Sequence, residues 1–165
     1  MAKPHKHAGS ICFVLTVLAL LGAIVGIMRS SPLIAIVLLL PTAIYEVYRT
    51  EGESTKWASR LLLLLLVAEI VLIVGNISFN LADFLGSSEK LVAGYVVPLG
   101  DVKVVGPAVM AVLAVILFTR TRGRYTRWLA AIIFFSAFAI LYALDPVIFE
   151  TLVRFGVEEG LERIR

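Results

Sequence analysis

The sequence predicts an all-α integral membrane protein with five transmembrane helices, and three observations carry that prediction. Of its 165 residues 60% are hydrophobic and 16% charged, with a mean hydropathy of +0.97. A soluble domain carries about 45–50% apolar and ~25% charged residues, and a chain this short exposes too much surface to hide the excess. The apolar residues also fall into five runs near the ~20 residues that a bilayer crossing needs. Aromatic and basic residues collect where those runs end, as at a membrane boundary.

Residues 1–9 form a polar tail that holds both histidines, His5 and His7. The first span, about residues 10–28, is longer than a signal-peptide core and lacks a small-x-small cleavage site, so it reads as a retained helix. Its Gly22-x-x-x-Gly26 pattern makes a close-packing face, open to a neighbouring helix of the bundle or to a homo- or hetero-oligomeric partner. Only Arg29, Ser30 and Ser31 separate it from the second span (residues 32–48), so the two helices must be antiparallel neighbours. Ser31-Pro32 reads as an N-cap followed by proline at the first helical position.

Gly52 and Gly123 follow the second and fourth spans, where a left-handed terminating residue is wanted. The third span covers residues 57–78, with helical character continuing toward Phe84. Beyond it, Pro98-Leu99-Gly100-Asp101 between valine-rich runs predicts a hairpin or a folded-back loop over residues 91–105. The fourth and fifth spans cover residues 104–119 and 128–144. Asp145-Pro146 then opens a C-terminal helix over residues 145–165. Its apolar stripe suits the outer membrane interface better than a sixth span.

Orientation follows from Lys and Arg near the span ends. With the N-terminus inside and the C-terminus outside, nine of the 15 basic residues are inside, four of them (Arg120, Arg122, Arg124 and Arg127) in one short turn. That turn is also a candidate site for anionic lipid headgroups. The cell membrane is the expected location, with the bilayer as the main partner and no nucleic acid.

The two inner turns resemble each other. Arg49-Thr50-Glu51-Gly52-Glu53-Ser54-Thr55-Lys56-Trp57 aligns without gaps to Arg120-Thr121-Arg122-Gly123-Arg124-Tyr125-Thr126-Arg127-Trp128. If Ser31-Pro32 and Gly106-Pro107 open corresponding runs, the second copy is about one helical turn shorter. A real duplication makes the second to fifth spans a parallel pair of hairpins related by an axis along the membrane normal. The competing explanation is that any inner turn favours Arg, Gly, Thr and Trp.

The third span holds the most informative polar residues. Glu69, Asn76, Asn80 and Asp83 are spaced to share one helical face, with Glu69 expected near mid-membrane. A carboxylate there costs ~2.5–3.5 kcal/mol or more when it faces lipid, so it should face the bundle interior. With Asp101 of the following loop, these residues are the candidate ligand or ion pathway. They equally suit interhelical hydrogen bonds that hold the bundle together. Glu46 reads as a plain ion pair with Arg49.

Enzymatic function classes find little footing. There is no glycine-rich nucleotide loop and no Ser/His/Asp constellation. No cofactor or metal is expected, because Cys12 is the only cysteine and no span contains a histidine. The expectation is a polytopic membrane protein that serves as a non-catalytic subunit or scaffold, with a small ion, proton or polar-solute transporter or channel as the alternative.

Overall fold

The computed structural model of the chain describes residues 7–50, 52–77, 89–92, 95–98, 102–147, 149–150 and 153–154. Five helices dominate: α1 (Ala8–Met28), α2 (Pro32–Arg49), α3 (Glu53–Val74), α4 (Val102–Arg120) and α5 (Arg124–Leu144). All five are long and apolar enough to cross a membrane.

The helix ends follow from local backbone chemistry. After α1, Ser30 turns left-handed (φ 47°). The Ser30 and Ser31 N–H groups donate back to the carbonyls of Ile27 and Gly26 (3.1 and 2.9 Å), a two-bond lock that satisfies the last carbonyls. Pro32 then starts α2 with its φ already helical, although the Ser31 hydroxyl makes no capping bond.

α3 ends by the same device. Asn76 adopts φ 49°, and the N–H groups of Asn76 and Ile77 reach the carbonyls of Ile73 and Leu72 at 3.2 and 3.0 Å. α3 therefore stops at Val74, short of the predicted residue 78, because a left-handed residue takes the chain out of the helix; the predicted helical character toward Phe84 lies outside the described residues.

Gly52 and Gly123 are starters of the next helix rather than terminators of the last. Both occupy the N-cap position; Gly52 has φ 113° but Gly123 is extended at φ −74°. The two turns share their bonding. The Thr55 hydroxyl donates to the Gly52 carbonyl at 3.0 Å, and the Thr126 hydroxyl to the Gly123 carbonyl at 2.8 Å.

α4 begins at Val102, and Pro107 lies inside it. With 18 residues in α2 and 19 in α4, the expected one-turn shortfall of the second copy does not exist. The hairpin of the connecting segment is also displaced from its predicted turn. Strands β1 (Glu89–Val92) and β2 (Tyr95–Pro98) pair antiparallel, Val92 opposite Tyr95. The valines expected on the far side of Pro98–Asp101 instead open α4.

The helices pack as a ring. α2 touches α3, α3 touches α4, α4 touches α5, and α5 returns to α2, while α1 lies across the α2–α5 seam. Ile36, Leu39, Leu62, Leu66, Met110 and Ile133 fill the centre of the ring with no more than 1% exposure. Large hydrophobics such as Phe13, Leu64 and Phe135 point outward and stay exposed. That inverted surface is what lipid, not water, would cover.

Gly22 and Gly26 are consumed inside the chain. A Cβ at Gly22 would stand 2.6 Å from the Leu38 Cβ, and one at Gly26 2.9 Å from the Ala35 Cβ. The face that the sequence left open to another chain is occupied by α2.

Past α5, Asp145 caps a further helical stretch, its Oδ1 accepting the Val147 N–H at 3.0 Å. Phe149 turns back to pack edge-on against Phe138 and Tyr142. Most of the predicted interfacial helix, including residues 155–165, lies outside the described residues.

Candidate functional site

Glu69 stands on the face of α3 that also carries Leu62 and Leu66, one and two turns earlier. Burial of those leucines carries Glu69 inside with them, to 2% exposure. Opposite it is Gly106 of α4. A Cβ on Gly106 would overlap Glu69 Oε2, so the missing side chain is what makes room for the carboxyl group. Five residues separate Glu69 from the end of α3 at Val74, ~7–8 Å along the axis. The group therefore lies in the last quarter of its helix.

Of the expected polar stripe, Glu69 and Asn76 fall among the described residues, and the end of α3 lies between them. Asn76 is exposed and serves as the left-handed terminator of α3. Asn80, Asp83 and Asp101 lie outside the described residues.

The residue that sequence reasoning undervalued is Glu46. It is in phase with Leu39, Thr42 and Ala43 on the buried face of α2, and its exposure is 0%. The Thr50 hydroxyl lies 3.0 Å from Glu46 Oε1 and 2.8 Å from the Glu46 carbonyl, while Oε2 is enclosed with no hydrogen-bond partner among the described residues. The predicted ion pair with Arg49 does not form. The Arg49 guanidinium turns instead to the Tyr45 hydroxyl (3.3 Å) and lies 5.3 Å from the centre of the Tyr125 ring on α5. Phase with small and apolar residues was the signal available for Glu46, and proximity to Arg49 obscured it.

The contact between Arg49 and Tyr125 also places the α2–α3 and α4–α5 turns at one end of the bundle. At that end Cys12, Leu15 and Leu129 form a small buried cluster with Tyr45 packed on it. The Trp128 indole N–H donates to the Thr16 hydroxyl at 2.8 Å, and so ties α1 to α5. Arg120, Arg122, Arg124 and Arg127 are all exposed there, with the Arg127 Nε donating to the Thr121 carbonyl at 2.7 Å.

Glu46 is three residues from the turn end of α2, and Glu69 sixteen from the start of α3. At 1.5 Å per residue they differ in depth by about 20 Å. Two carboxyl groups that far apart cannot share one substrate as an acid–base pair. No group of three or more His, Cys, Asp or Glu among the described residues could hold a metal ion.

Comparison with known proteins returns no matching family model, no matching curated protein and no matching solved structure.

Proposed function

We propose that this chain is a multi-pass protein of the cell membrane that acts as a non-catalytic scaffold or subunit, its buried carboxyl groups serving to hold helices in register. The observation that carries the reading is the close-packed, mainly apolar interior between Glu46 and Glu69. Leu39, Ala43, Leu62 and Leu66 from the first hairpin and Met110 and Ile133 from the second, all at 0–1% exposure, make up most of the intervening depth. Thr42, Ser59 and Ser136 are buried there too, the Thr42 and Ser59 hydroxyls donating to the Leu15 and Thr55 carbonyls (3.4 and 3.1 Å). Conduction would need a continuous line of water or polar groups there, and the large leucine, methionine and isoleucine side chains interrupt it.

The same reading takes α2–α3 and α4–α5 as duplicated hairpins, N-terminus inside and C-terminus outside. A shift of 71 residues, Arg49 to Arg120, brings the end of α2 onto the end of α4 and the start of α3 onto the start of α5. Under that shift the buried residues Ala35, Ile36, Leu39, Thr42, Ala43, Glu46 and Thr50 meet Gly106, Pro107, Met110, Leu113, Ala114, Leu117 and Thr121, which are also buried. Ring order supports it too, because the α3–α4 and α5–α2 contacts are then equivalent. The copies differ in chemistry: Thr42, Glu46, Ser59 and Glu69 answer to Leu113, Leu117, Ala130 and Ile140. Buried polarity belongs to the first hairpin alone in these four pairs.

A small proton or ion carrier is the second reading, and it draws on the unsatisfied Glu46 Oε2. A buried acceptor of that kind is costly unless something comes to bind it. Flux into liposomes separates the two. The scaffold reading expects no proton or monovalent-cation flux above empty liposomes. A flux abolished by Glu46→Gln in a variant that still folds would replace it with the carrier reading.

A further inference from the structure

The outer side of the α4–α5 seam is a trough. Its part far from the turn has a volume of about 300 Å³ and is bordered by Ala108, Ala111 and Phe138. The part near the turn, about 260 Å³, is bordered by Phe118, Ala131 and Phe135. Val115 and Phe134 border both, so the two parts are continuous. Small side chains create the space. Ala108, Ala111 and Ala131 stand where a 71-residue shift places Val37, Leu40 and Arg60 in the first hairpin.

Length and charge say what fits. From Pro107 to Phe118 the trough runs ~16 Å along α4, about one leaflet's share of a ~30 Å hydrocarbon core. Phe149 packs on Phe138 at the far end. Toward the turn the trough leads to exposed guanidinium groups. Arg127 stands four residues before Ala131 on α5 and so follows the trough's face of the bundle, and Arg122 lies exposed in the turn just past the end of α4. Arg124 is one turn before Arg127. A partner helix would fill the trough but has no use for these cations. A phosphate does, because guanidinium donates to its oxygens in a matching fork.

We propose that the α4–α5 trough binds one anionic phospholipid, an acyl chain lying along Ala111, Val115 and Phe134 and the phosphate held by Arg122, Arg124 and Arg127. This assignment is independent of the scaffold and carrier readings.

The test uses the full chain in detergent, titrated with dioleoyl phosphatidylglycerol or dioleoyl phosphatidylcholine and read by native mass spectrometry. One phosphatidylglycerol should be retained per chain, with phosphatidylcholine clearly weaker. Arg122→Gln with Arg127→Gln should weaken retention about tenfold or more, at roughly 1 kcal/mol per basic residue near a membrane surface. Ala111→Leu with Ala131→Leu, which fills the trough and leaves every arginine in place, should weaken it comparably. Ala131→Leu alone serves if the double variant fails to fold. Equal retention of both lipids overturns the proposal, as does loss in the arginine variant with full retention in the filled one, which is surface charge without a trough. A dimer that disappears when the trough is filled also overturns it, since the occupant is then a second copy.

Discussion

Glu69 of α3 rests against the bare backbone of Gly106 on α4, in space that a single methyl group would take away. Carboxyl and glycine are therefore a matched pair. Gly106→Ala should cost about 1–3 kcal/mol of stability, the range for overpacking a filled interior, read as a lowered melting temperature in detergent. In the scaffold reading Glu69→Gln is nearly silent, because the amide keeps shape and most hydrogen-bonding capacity. Glu69→Leu should cost about 0.6–2 kcal/mol, as for interhelical hydrogen bonds in membranes. If Glu69→Gln left melting unchanged but removed an ion flux, the group would be serving a pathway instead.

Asn76 gives an opposite test. Its backbone is left-handed at φ 49°, so its value lies in conformation and not in the amide. Asn76→Gly should leave melting nearly unchanged, whereas Asn76→Val should destabilise by about 1–2 kcal/mol, the cost of that conformation for an ordinary residue. Equal effects of the two substitutions would show that the amide itself matters.

These two residues mark how far the sequence was legible. Five spans were visible because twenty-residue apolar runs have few other uses, and the antiparallel α1–α2 pair followed from a three-residue turn. The end of α3 before Asn76 was not, because periodicity assumes that a helix continues. Asn76 satisfies both the spacing of a helical face and the chemistry of a helix stop, and only the backbone angle decides. Glu46 was misjudged for a related reason. An Arg at i+3 suggests a pair, but the rotation of α2 that buries Leu39 and Ala43 carries Glu46 inward and leaves Arg49 beside Tyr125. Pro107 misled in the same way: proline marks helix starts, yet here α4 was already five residues old.

Gly22 separates packing within the chain from packing between chains. Gly22→Leu forces a side chain into Leu38 of α2 and should cost about 1–3 kcal/mol, with no change in the mass of the protein–detergent particle. Normal melting together with loss of an oligomer, measured by light scattering, would mean that the glycine face serves another chain.

The last prediction concerns orientation. Five crossings put the α1–α2 turn and the α4–α5 turn on opposite faces, and the charge distribution says which is which. Arg120, Arg122, Arg124 and Arg127 are exposed at one end, where α1 also starts with Gly9 beside Tyr125; short basic segments of this kind stay inside. Ser30, at the other end, has a single arginine beside it, Arg29. Cys12 is buried, so a Cys12→Ala background removes the only native thiol from a site that a reagent would reach poorly in any case. In that background, a cysteine at Arg122 should react with a membrane-impermeant maleimide only after the cells are opened, and one at Ser30 should react in intact cells. Ser54, in the first turn of α3, should behave like Arg122, because the contact between Arg49 and Tyr125 holds the α2–α3 and α4–α5 turns at one end. Labelling of Arg122 and Ser54 from outside, with Ser30 protected, would reverse the orientation and keep the bundle. Labelling of Ser30 and Arg122 from one face would remove a crossing, and the five-helix membrane topology would fall with it.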